Sequence, residues 1–204
     1  DMLDSRGGPD KAWSQSAGLI DHVGINPAGF GIDSALIEDL DPLYHLLLHT
    51  GRQSILPAGL HGLDRRRVGV ILAAIALPTD SASRLAQRVL GDAYARQILQ
   101  PLKSDLPPSA PLTAAEGIAS RVTSFTAACL AAALDLGGPS FTLDAACASA
   151  IYAIKLACDM LNAGHADAML CGGVSRPDAL YTQVGFTQLQ ALSPTGRCAP
   201  FDAR

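Results

Sequence analysis

The chain alternates between short unbroken apolar runs and longer stretches in which apolar residues recur every three or four positions. Val68-Gly-Val-Ile-Leu-Ala-Ala-Ile75 is continuous and apolar, which predicts a strand covered on both faces. Pro139-Ser-Phe-Thr-Leu143 is short, rich in β-formers and preceded by Gly137-Gly138, which predicts a turn and then a strand over 140–144. Ala168-Met-Leu-Cys-Gly-Gly-Val-Ser175 predicts a third strand. Helical spacing runs from Ser34 to Leu56, with Pro42 as an interruption near the start, and from Asp80 to Leu99, where Asp80-Ser81 can cap the helix and Pro101 lies beyond its end. Thr113-Ala-Ala-Glu116 matches a capping box, and a second Ala-rich helix follows to about Leu136. Ile151, Ile154, Leu156, Ala157 and Leu161 predict a helix over 147–163, closed by Gly164. A helical or mixed segment reaches Leu189. The first thirty residues carry no clear period, and 106–111 and 193–202 read as loops.

A strand–helix–strand succession around residue 147 implies a right-handed crossover and a parallel sheet. The helix within it is apolar nearly all round, so the pattern predicts cover on both of its faces. The fold class expected is α/β, as a layered α/β/α/β/α body.

Composition narrows the function. The chain has 204 residues, is 49% hydrophobic and 17% charged, and carries a net charge of −4. Such a chain can bury a large core, as one domain or two small ones. The mild acidity offers no footprint for nucleic acid or an anionic membrane. Ala127 to Leu136, the best candidate for a membrane span, is far short of the roughly 20 apolar residues required. The N-terminus does not have the pattern of a signal peptide. The five cysteines, Cys129, Cys147, Cys158, Cys171 and Cys198, are scattered and never form a C-x-x-C pair. That argues against a zinc site or a disulfide framework and makes a reducing, cytoplasmic setting the default.

Cys147 stands in Phe141-Thr-Leu-Asp-Ala-Ala-Cys-Ala-Ser-Ala150, where a predicted strand hands over to a predicted helix. The first turn of a helix has unpaired N–H groups and the positive end of its dipole, which favour a thiolate. Small residues on both sides allow backbone and substrate to approach closely. From context alone two readings stand: a nucleophile, or a small buried core cysteine. Asp144 is expected to satisfy local backbone N–H groups. Gly172-Gly173 is expected to mark close packing at a strand end, and Arg197 to hold its loop. His45 and His49 share a helix at a spacing of four, but His-Leu-Leu-Leu-His lacks the Glu of a zincin helix, so no metal site is expected. His22 and His61 fall in Gly-rich loops, and His165 follows a helix end. The other four cysteines read as core or loop residues.

Three motifs together resemble a known family. They are Gly138-Pro-Ser-Phe-Thr-Leu-Asp-Ala-Ala-Cys-Ala-Ser149, Gly164-His-Ala-Asp-Ala-Met-Leu-Cys-Gly-Gly-Val174 and Leu192-Ser-Pro-Thr-Gly-Arg-Cys-Ala-Pro-Phe-Asp-Ala203. In order and spacing they are similar to the β-ketoacyl synthase (ketosynthase) domain of type I polyketide and polyunsaturated fatty acid synthases, over about residues 118–204. Leu40-Asp-Pro-Leu-Tyr-His-Leu-Leu-Leu48 and Val68 to Ile75 extend the resemblance more loosely upstream. Ala145 stands where the family often has Thr, and Ala148-Ser149-Ala150 where it often has a Ser-rich run.

The resemblance implies a thiolase fold, of which 1–204 would be a partial N-terminal domain with the first strand and the C-terminal half missing. It implies acyl-chain elongation by decarboxylative condensation, with Cys147 accepting an acyl group from an acyl carrier protein. The Cys147 backbone N–H would be one oxyanion donor. It implies no cofactor of the domain's own, since substrates ride on the phosphopantetheine arm of the carrier. It implies a homodimer with Ser140 to Asp144 near the two-fold axis. None of the five histidines matches a family catalytic position, so this stretch alone is expected to be inactive in condensation. Two alternatives remain at this point: a non-condensing thiolase-fold acyltransferase, and a non-catalytic structural or dimerising piece.

Overall fold

The computed structural model describes residues 3–4, 6, 8–13, 20, 23–59, 62–75, 79–100, 111–119, 125–176 and 180–202. They fall into two compact units, 23–176 and a second built from 1–22 with 177–204.

The larger unit is organised on β1 (Val68–Ala73), whose six residues are all buried. β1 lies between β2 (Ser140–Leu143) and β3 (Ala168–Gly173), in the order β2-β1-β3, and both pairings are parallel. A central strand buried on both faces needs the continuous apolar run that the sequence supplies. Alternation along β1 feeds two cores. Val68, Val70 and Leu72 join Leu43, Tyr44, Leu47, Leu48 and Leu130 on one face. Ile71 and Ala73 join Ala153 and Ala157 on the other. Glycine at 69 is dictated by close approach, since an added Cβ would stand 2.6 Å from the Pro139 carbonyl oxygen and 2.5 Å from the Met169 sulfur. The Gly137-Gly138 turn is likewise pressed on β1, and a Cβ at Gly138 would lie 2.5 Å from the Val68 carbonyl carbon.

Helices cover both faces of the sheet. The apolar stretch 34–56 divides into α1 (Ser34–Asp39) and α2 (Pro42–Ala58). Pro42 begins a helix and does not interrupt one. Leu40 is extended (ψ 153°), Asp41 accepts a 2.9 Å hydrogen bond from Leu43 N–H, and proline occupies the first turn, where its missing N–H costs nothing. α3 (Asp80–Leu99) has the expected span, but its cap is Thr79, whose Oγ1 accepts from Ala82 N–H at 3.2 Å. Asp80 and Ser81 already lie inside the helix. The capping box before α4 (Ala114–Ala119) is reciprocal: Thr113 N–H donates to Glu116 Oε2 at 2.9 Å, and Glu116 N–H to Thr113 Oγ1 at 3.2 Å. α5 (Thr126–Ala133) is buried on most sides, which its alanines permit. At its start Ala127 N–H donates to Thr142 Oγ1 of β2 at 3.1 Å.

α6 (Ser149–Asn162) packs on β1 and β3. It ends in a Schellman arrangement, with Gly164 at φ 71°, Gly164 N–H bonded to Leu161 O and His165 N–H to Met160 O. Cover on both faces is not found. Ala153 and Ala157 are buried, while Ile151, Tyr152, Ile154 and Leu161 are exposed. The apolar residues all round α6 supply one packed face and one uncovered face among the described residues.

The smaller unit holds α7 (Leu180–Gln188), whose Gln188 side-chain amide donates to the Gly8 carbonyl at 2.8 Å.

Candidate active site

Parallel strands present their carboxyl ends together, and loops leaving those ends form the usual sites of α/β sheets. Here Leu143, Ala73 and Gly173 stand side by side as the last paired residues of β2, β1 and β3. Cys147 follows directly. It sits in a single 3₁₀ turn, Ala146–Ala148, between β2 and α6, and it is exposed. Cys147 belongs to neither of the two core clusters of the described residues.

The turn is built from short-range polar contacts. Ala146 has φ 51°, a left-handed conformation that side chains other than glycine's rarely adopt. Its N–H donates to Asp144 Oδ1 at 2.9 Å, as expected of Asp144. Ser149 braces the other side. Its Oγ accepts from Ala145 N–H at 2.8 Å and donates to the Ala146 carbonyl at 2.6 Å. Gly173 lies under the first turn of α6, where an added Cβ would be 3.7 Å from the Ala150 Cβ and 3.4 Å from the Ala73 Cβ. The contacts at Gly173 are ordinary van der Waals distances, and at Gly172 an added Cβ would meet nothing within 4 Å, so neither position requires glycine for close packing.

The remaining candidates lie elsewhere. His45 Nε2 is 2.6 Å from the Ile37 carbonyl oxygen, so this ring ties α2 to α1. His22 and His61 lie outside the described residues, and His165 is exposed beyond α6. No group of three or more potential metal ligands occurs among the described residues. Cys129 is buried in α5, and burial pushes its thiol up to about 12. Burial also raises Cys171, with the neighbouring Cys158 thiol adding to it. Cys158 is exposed on α6, which makes it neither a core nor a loop cysteine. Arg197 is exposed in the smaller unit.

Sequence reasoning missed Ser149. The only signal was a hydroxyl two positions after the cysteine, in a run where small residues already suggested close approach. It also missed the contact at 3.8 Å between Arg176, just past β3, and the buried Asp41 at the start of α2.

The profile of the β-ketoacyl synthase N-terminal domain matches residues 4–204. The chain belongs to the β-ketoacyl synthase family. It is 30% identical over 192 residues to polyketide synthase ThaG of Burkholderia thailandensis, a match covering 93% of this chain and 3% of that protein. It is 31% identical over 199 residues to a mycocerosic acid synthase-like polyketide synthase of Mycolicibacterium smegmatis (96% of this chain, 8% of that protein). Against a phenolphthiocerol/phthiocerol polyketide synthase of Mycobacterium tuberculosis the figures are 31% over 176 residues, 85% of this chain and 8% of that protein. The ketosynthase chain therefore spans a small part of the curated relatives it matches.

Among solved structures, the PfaC keto synthase–chain length factor superposes with a TM-score of 0.77 at 32% identity, covering 98% of this chain and 23% of that one. An oxazolomycin ketosynthase domain from Streptomyces albus JA3453 superposes with a TM-score of 0.65 at 20% identity, over 98% of this chain and 31% of that one, a likeness of fold alone. The expected family and the thiolase-like α/β fold are both borne out.

Proposed function

We propose that this ketosynthase chain supplies the acyl-accepting half of a decarboxylative condensation, with Cys147 as nucleophile. The observation that carries the proposal is the exposed Cys147 thiol in the tight turn between β2 and α6, at the carboxyl edge of a parallel sheet. The Cys147 thiolate attacks the carbonyl of an acyl thioester. A tetrahedral oxyanion forms, then collapses to acyl-Cys147 and releases the carrier's thiolate, which takes up a proton. Backbone N–H groups at the start of a helix suit such an oxyanion, and the Cys147 N–H is the donor proposed here. In the second half-reaction a malonyl-type thioester loses carbon dioxide, and the resulting carbanion attacks acyl-Cys147 and expels the thiolate. Decarboxylation makes the carbanion, so no base is needed to remove a proton from carbon.

The acyl donor proposed is an acyl carrier protein, whose phosphopantetheine arm can reach an exposed thiol. The partner proposed for β2 is a second copy of the domain, since β2 is an edge strand of the described sheet. Incubation with an acyl carrier protein loaded with a short acyl chain, followed by intact-mass and peptide analysis, tests the first half-reaction. One acyl group is expected, on the peptide containing Cys147, and none in Cys147→Ala. Equal acylation of Cys147→Ala would overturn the proposal.

A further inference from the structure

Resting on the reading of Cys147 as nucleophile, we infer that Ser149 is a positioning residue for that thiol. It acts through the backbone of the turn and not by touching substrate.

Ser149 does not cap the helix that it begins. A serine at the start of a helix ordinarily accepts a hydrogen bond from an N–H one turn ahead. Ser149 is the first residue of α6, and α6 has Ala148 at its cap position with no side-chain cap bond. The Ser149 hydroxyl reaches backwards instead, to Ala145 N–H at 2.8 Å and to the Ala146 carbonyl at 2.6 Å. Both of its hydrogen-bonding roles are thus spent on the two residues immediately before Cys147, and the residue is 4% exposed.

Those two residues are where the backbone is least comfortable. Ala146 is held at φ 51°, which a Cβ disfavours. Two side chains close on this residue from opposite sides, Asp144 on the Ala146 N–H and Ser149 on the Ala146 carbonyl. If either were lost, the Ala146 backbone could rotate toward an unstrained conformation and carry the next residue, Cys147, with it. Residues 144–148 are exposed, so water can hydrate the freed groups. Loss of the Ser149 hydroxyl therefore relaxes the turn without uncovering a core. The sequence concentrates strain next to the thiol and assigns a buried hydroxyl to hold it.

The test measures three thiols in one protein. Cys158 and Cys198 are also exposed and serve as internal controls. In Ser149→Ala, acylation of Cys147 by the loaded carrier protein is expected to fall about tenfold, on the scale of one lost buried hydrogen-bonding group. Alkylation of Cys158 and Cys198 by iodoacetamide should be unchanged. Ser149→Thr keeps the hydroxyl and should restore the rate. Ala146→Gly removes the conformational penalty at φ 51°, so in that background Ser149→Ala should cost clearly less. The same double variant covers the case in which Ser149→Ala does not fold, since it should recover both folding and Cys147 acylation. An unchanged Cys147 rate in Ser149→Ala, parallel losses at all three thiols, no rescue by threonine, or no relief in the glycine background would each overturn the inference. Absence of acylation in the wild-type protein would instead overturn the functional reading, and iodoacetamide alkylation of Cys147 would then still report on the brace.

Discussion

Four of the five thiols differ from Cys147 in burial, position or both, and each difference has a chemical consequence. Cys129 is 2% exposed, and its desolvated thiol is raised to about 12, so its thiolate is scarce near neutrality. Iodoacetamide at about pH 7.5 is expected to label Cys147, Cys158 and Cys198 in the native protein and to reach Cys129 only after urea unfolding. Per-cysteine mass mapping reads this directly, and native labelling of Cys129 at the rate of Cys158 would refute it. The sequence singled out Cys147 because an apolar strand, a run of small residues and a helical pattern meet there. It could not reveal Ser149 or the strain at Ala146. A serine's partners at three and four residues back, across a non-helical turn, depend on how the backbone folds and leave no period in the sequence. His45 shows the reverse case, a metal-like spacing in which the ring bonds the Ile37 carbonyl.

At the scale of elements, strands and helices were legible because burial writes a period, and ends were less legible because caps are single hydrogen bonds. Leu40 and Pro42 divide two helices that the apolar pattern alone runs together, and Thr79 supplies a cap that the sequence assigned to Asp80-Ser81. Among the described residues α6 is covered on one side only. An apolar face records what a helix can bury, and Ile151 at 72% exposure shows a face left uncovered. Two glycines in adjoining strands make a contrasting pair. Gly69→Ala drives a Cβ against the Pro139 carbonyl and Met169, and should destabilise by about 1–3 kcal/mol, the usual range for overpacking. Gly172→Ala enters open space and should be neutral or stabilising by up to about 1 kcal/mol, since alanine restricts the unfolded chain. Urea midpoints of the two variants test the pair, and similar losses in both would contradict the packing described.

For the whole molecule, the acid limb of stability follows from carboxylates on the larger unit. Asp64 is lowered first by a hydrogen bond from Arg66, Asp167 by one from Arg67, and Glu116 by the Thr113 backbone N–H. A folded-state value below the unfolded one contributes stability that is present above the unfolded value, roughly pH 4 for carboxylates, and is lost as pH falls through the folded value. The urea midpoint should therefore decline from about pH 5 to about pH 3, and added salt should shrink the decline because these groups are exposed. A midpoint constant over that range would contradict the assignment. The Asp167–Arg67 pair also ties the start of β1 to the approach to β3, and its partners lie 100 positions apart in the chain. The same separation governs how β1 is made. Its register pairs Val70 with Ser140 and Val68 with Ala168, so the most apolar strand in the sequence is synthesised before either neighbour exists. At roughly 5–20 residues per second a ribosome needs about 4–14 s to reach β2, far longer than the roughly 0.1–1 μs in which a local helix forms. During that interval β1 also waits for both helices that pack on it, α5 on one face and α6 on the other, since each follows it in the chain. The order of elements along the chain is thus also an order of exposure on the ribosome.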